Sequence, residues 1–199
     1  VQGAAGRAGG VLRPELFRFD EVVPWMGTPD GFMGHYRQIE LPVLVSLGYL
    51  PTMFARPLLN EVEPWQAVAP TDQDIHWEAA WAAYEYYRVV IGHFAEHFES
   101  RQFMMCNEPE NRFGGWHLPA DLAGLGWGQL FHDDAAEEPR PSRRYLGAIA
   151  RQYAVLCRLA RLAVQDVAAV LGEDEAAFCL SGATTVAWDA LWPLAAPHL

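Results

Sequence analysis

The residues best suited to chemistry are Asn107 and Glu108, placed between an apolar run and a proline in Phe103-Met104-Met105-Cys106-Asn107-Glu108-Pro109. A short continuous apolar run reads as a strand buried on both faces, as in a parallel sheet. Pro109 has no N–H to give to a ladder, so the strand is expected to stop there. Glu108 then sits at the carboxyl end of a buried strand, where α/β folds place their chemistry. A carboxyl group at an apolar strand mouth has its pKa raised and can act as a general acid. Asn107 offers both a donor and an acceptor, which suits it to holding a hydroxyl. The plainer reading is that Asn-Glu-Pro ends a strand with its polar side out, and spacing alone leaves the two about even.

Other strand ends supply Arg18 and Asp20, Gly48 and Tyr49, and Ser181 and Gly182. Beyond Glu108, Trp116 offers a stacking face and His117 a hydrogen bond; both also fit ordinary loop packing. His93 and His97 stand four apart on a predicted helix. They could face a metal, but no third ligand is evident, and a surface or structural role is the expectation.

The elements that must position these residues alternate. Strands are expected at Leu16–Asp20, Pro42–Tyr49, Phe103–Glu108 and Ala177–Gly182, and a short helix within Phe32–Leu41. A strong helix is expected over Thr71–Ser100, with Trp77, Trp81, Tyr84, Tyr87, Ile91, Phe94 and Phe98 on one apolar stripe. A second follows Pro141, capped by Ser142 and ended by Gly172, with Leu146, Ile149, Tyr153, Leu156, Ala160, Ala163, Val167 and Val170 on its apolar face. Arg143, Arg144, Arg151, Arg158 and Arg161 are expected to decorate its solvent side. A last helix starts at Trp188. This is the βα alternation of a parallel sheet with helical crossovers. The long stretch from Glu110 to Arg140 reads as a lid or binding loop.

Composition narrows the function. The chain has 199 residues, 51% hydrophobic and 20% charged, a globular balance large enough for one domain with a sizeable core. A net charge of -11 argues against nucleic acid as a partner. Aromatics reach 13%, fitting either a ring-rich core or stacking platforms for a sugar. Cys106, Cys157 and Cys179 are too widely spaced for a disulfide framework or a local metal site, and Cys106 and Cys157 read as buried small hydrophobes. No run has the length of a membrane span. No Gly-rich nucleotide loop is present, and no cofactor or metal is called for. The opening Val-Gln-Gly-Ala-Ala-Gly-Arg-Ala-Gly-Gly reads like the tail of a Gly/Ala-rich helix. The chain is therefore expected to be cut from something longer, and localisation is not legible from this end.

The strand Phe103–Cys106 leading to Asn107-Glu108-Pro109 resembles the fourth strand of the retaining glycoside hydrolases whose catalytic domain is a (β/α)8 TIM barrel. Pro42-Val43-Leu44-Val45-Ser46-Leu47-Gly48-Tyr49-Leu50-Pro51 is similar to the third strand and following loop of glycoside hydrolase family 39, the β-xylosidases and α-L-iduronidases. Phe17-Arg18-Phe19-Asp20 resembles that family's second strand, although Asp20 stands where His is usual. Leu180-Ser181-Gly182-Ala183-Thr184-Thr185 resembles the fifth strand and its exit.

The resemblance implies an α/β fold of the (β/α)8 type, incomplete, with strands 2 to 5 in a single partial-barrel catalytic domain over residues 1–199. It implies Glu108 as acid/base, Asn107 on the sugar 2-hydroxyl, Arg18, Asp20, Trp116 and His117 as substrate contacts, and a carbohydrate as substrate. The nucleophile, a Glu on the seventh strand, would lie beyond Leu199. A half barrel leaves open sheet edges, so self-association is expected. Two other readings stay open: a non-catalytic carbohydrate-binding barrel or pseudoenzyme, and an unrelated, metal-dependent α/β enzyme using Asp20 and His117.

Overall fold

Residues 35–36, 38–40, 43–47, 77–105, 143–182 and 188–196 are described by the computed structural model. In chain order they form β1 (Leu44–Ser46), α1 (Trp77–Phe98), β2 (Gln102–Met104), α2 (Arg143–Leu171), a 3-10 turn (Glu175–Ala177), β3 (Cys179–Ser181) and α3 (Trp188–Ala195). Residues 35, 36 and 38 are helical, and the Ile39 N–H donates to the His35 carbonyl at 3.3 Å. The expected strand Leu16–Asp20 lies outside the described residues. No helix among the described residues is long and apolar enough to cross a membrane.

Chain contacts divide the protein into two compact units. The first comprises residues 1–48, 81–105 and 160–182. It contains all three strands, most of α1 and the last part of α2. β1, β2 and β3 pair in parallel in that order, with Val45, Phe103 and Leu180 in register. Phe103 is fully buried and its ring stacks against Phe178, centroids 6.5 Å apart. Tyr87, Ile91, Ala95 and Phe98 of α1 are buried, as are Ala163, Val164 and Val167 of α2.

The second unit comprises residues 49–80, 106–159 and 183–199. Its described core is the buried face of α2, formed by Leu146, Ile149, Ala150, Tyr153, Ala154 and Leu156, with Ala79 and Ala80 from the start of α1 and Ala195 from α3 also buried. Burial pushes the Cys157 thiol up to about 12, partly offset by a hydrogen bond with Tyr153.

The barrel expectation is overturned. Barrel strands are covered on both faces, by packed side chains inside and helices outside. Here β1 is buried only at Val45, with Leu44 and Ser46 exposed, and Cys179 of β3 is exposed. The described strands are three residues each, about 10 Å long. The helices run 22 and 29 residues, roughly 33 and 44 Å. The described residues are mostly helical, with one small open parallel sheet among them, and they trace no partial (β/α)8 TIM barrel. Apolar runs predicted strands covered twice; the fold covers them once.

Both helices end on a left-handed residue. At α2 this is Gly172, with φ of 70°. Its N–H reaches the Ala169 carbonyl at 3.2 Å, and the Glu173 N–H reaches the Ala168 carbonyl at 2.9 Å, the paired bonds of a Schellman cap. At α1 the residue is Glu99, with φ of 55°.

Candidate functional site

Because the three strands are parallel, their carboxyl ends lie along one edge, with Ser46, Met104 and Ser181 in register. The ladder continues one residue further: the Leu47 N–H donates to the Met104 carbonyl at 2.9 Å and the Met105 N–H to the Ser181 carbonyl at 3.1 Å. Leu47 and Met105 are both buried. The edge is therefore held by backbone bonds on both sides of β2. Asn107 and Glu108 follow Met105 in the chain and lie outside the described residues, as do Arg18, Asp20, Trp116 and His117. Of the strand-end residues singled out from sequence, only Ser181 and Gly182 are described. The Ser181 hydroxyl donates to the Phe103 carbonyl at 3.2 Å, so it ties the sheet together.

A second concave region lies in the first unit between α1 and α2. Arg88, Val89, Gly92, His93, Glu96 and His97 line it from α1, with Asp166, Val167, Val170 and Leu171 opposite, around a volume of about 360 Å³. The α1 positions form two adjacent rows with a spacing of four, Arg88-Gly92-Glu96 and Val89-His93-His97, so helix geometry alone puts them on one face. Near this groove the Tyr84 hydroxyl donates to Asp166 Oδ2. Burial and that hydrogen bond push the Tyr84 phenol up to about 12. Arg88 gives Nε and Nη2 to one oxygen of the buried Glu85, at 3.2 and 2.7 Å, and the hydrogen bond raises the guanidinium's pKa further.

His93 is half-buried, its ring edge-on to Phe94 at 5.4 Å and tilted against Phe98 at 5.7 Å. The His97 ring centre lies 4.8 Å from that of His93. Burial lowers the His93 pKa to about 4, and the neighbouring His97 adds to the drop, so the ring is neutral at pH 7. Among the described residues no set of three or more His, Cys, Asp or Glu gathers around a common metal position.

Sequence spacing located His93 and His97 but not their surroundings. Arg88 and Gly92 could have been found by stepping along the same helix face. Asp166 could not, since it lies on another helix and comes within reach only through packing.

Compared with known proteins, the chain matches no family model, no curated protein and no solved structure. The resemblance to glycoside hydrolase family 39 finds no support there.

Proposed function

We propose that this chain supplies the acid/base half of a retaining glycoside hydrolase, with Glu108 moving the proton and Asn107 holding a sugar hydroxyl. The observation that supports this is β2. It is the middle strand of a parallel sheet, Phe103 and Met105 are buried, and Asn107-Glu108-Pro109 comes one residue after Met105 in the chain. In open parallel sheets ligands bind beyond the carboxyl ends of the strands. The proposal therefore stands on the sheet and does not need a barrel.

In this reading Glu108 protonates the leaving glycosidic oxygen and later takes a proton from the attacking water. Trp116 stacks on the sugar, while His117, Arg18 and Asp20 bind its polar groups. A retaining mechanism requires a second carboxylate about 5–5.5 Å from the first.

The test is Glu108→Gln in the protein that carries this chain, assayed on a panel of nitrophenyl glycosides and natural disaccharides. Hydrolysis should fall by about 10²–10⁴, the usual contribution of general acid–base catalysis. Sugar binding should persist. An unchanged rate would sink the assignment. A wild-type protein that binds sugars but cleaves none selects the non-catalytic carbohydrate binder instead.

A further inference from the structure

We infer that His93 and His97 form an open two-imidazole site for a divalent transition-metal cation of the zinc or copper type, in the groove between α1 and α2. This goes beyond the glycosidase proposal and does not depend on it.

Residues four apart on a helix lie one above the other on the same face. The two ring centres are 4.8 Å apart and the rings are tilted by 56°, not stacked. With metal–nitrogen bonds of about 2.0–2.1 Å at a tetrahedral or square angle, two imidazoles sharing one ion have ring centres roughly 4.5–5.2 Å apart. The observed spacing falls inside that window. His93 is braced by the rings of Phe94 and Phe98, so half of the pair is already oriented.

The charge around the pair favours a cation. Glu96 lines the groove from the same helix, and Asp166 lines it from α2. Arg88, the cationic side chain among the described lining residues, is held by Glu85 at 2.7 Å. Metal ions bind imidazole in its neutral form, so binding is measured above the ordinary histidine pKa. With no third protein ligand among the described residues, water or a bound molecule takes the remaining positions. Such an open site binds less tightly than a closed structural one.

The probes are Zn²⁺ and Cu²⁺ alone, titrated into the protein at pH 7.5. His97 is exposed, so His97→Ala is the primary variant; unchanged helical circular dichroism checks that the fold is kept. One equivalent should bind to the wild type, and His97→Ala and His93→Ala should each weaken it at least about tenfold. The Cu²⁺ paramagnetic resonance spectrum should show two nitrogen ligands, falling to one in His97→Ala. His35→Ala should bind as the wild type does. Absence of binding at 100-fold metal excess, unchanged binding in His97→Ala, or binding abolished only by thiol alkylation would each overturn the assignment.

Discussion

The two ends of the sheet are built differently. At the amino end the chain passes quickly from helix to strand. Only Glu99, Ser100 and Arg101 separate α1 from β2, and α2 reaches β3 through Gly172 and one 3-10 turn. Polar groups there are tightly engaged. Arg101 gives Nε and Nη2 to the two oxygens of Glu173 at 2.7 and 2.6 Å, and Nη1 to the carbonyls of Ala95 and Ser100 at 2.7 and 3.0 Å. Its guanidinium also lies 5.1 Å from the Phe178 ring centre. The Ser100 hydroxyl donates to the Val43 carbonyl, and the Asp174 carboxylate caps the 3-10 turn. At the carboxyl end, residues 48–76, 106–142 and 183–187 intervene between each strand and the next described helix. In α/β proteins the short returns hold the scaffold together, while the long departures carry binding and catalysis.

That contrast can be broken by experiment. The largest effect belongs to Phe103→Ala, which removes a fully buried ring shared by both ends. It should cost about 3–5 kcal/mol in urea unfolding and abolish any activity through loss of fold.

Next is Arg101→Ala, expected to cost about 1–3 kcal/mol from the lost charge-assisted bonds and ring contact, with any activity of the proposed Glu108 site unchanged in the folded protein. The pH dependence sharpens it. Hydrogen bonding to Arg101 holds the Glu173 carboxyl below the usual glutamate range. A depressed folded pKa stabilises above the unfolded value and is lost as pH falls through the folded one. The stability gap between wild type and Arg101→Ala should therefore be full at neutral pH and narrow below about pH 4. A gap that stays constant to pH 2 would show that the ion pair contributes nothing.

The smallest effect is Gly172→Ala. No atom lies within 4 Å of the added methyl, so its cost comes from the left-handed backbone alone, about 1 kcal/mol. A thermal midpoint equal to wild type would refute that account.

Much of the described scaffold was legible in advance. The apolar runs at 42–49 and 177–182 each contain an observed three-residue strand, and the run at 103–108 overlaps β2, which starts one residue earlier at Gln102. Gly172 ends α2 as its position predicted, and Trp188 starts α3. Face assignments were less secure. Trp77 and Trp81 extend the α1 stripe in sequence yet are 59% and 49% exposed, while Ala79, Ala80 and Ala83 beside them are buried, so the first turns of α1 bury their small-residue side instead. Val170 ends its own stripe exposed, while Arg151, expected on the solvent side, is buried. The fold class failed on one point: a run such as Leu44-Val45 does not say whether one face or both will be covered. The Arg101–Glu173 clamp joins residues from opposite ends of the crossover, and no local pattern announces it. The proposed catalytic pair rests on sequence, since Asn107 and Glu108 lie outside the described residues.

The Arg101 clamp also has a bearing on how such a protein changes over generations. By fixing strand register from behind, it relieves the opposite end of that duty. Sequence changes that spare Arg101 and Glu173 can thus accumulate without shifting Phe103 against Val45 and Leu180. The short amino-end returns act as a frame that keeps the three strands in register.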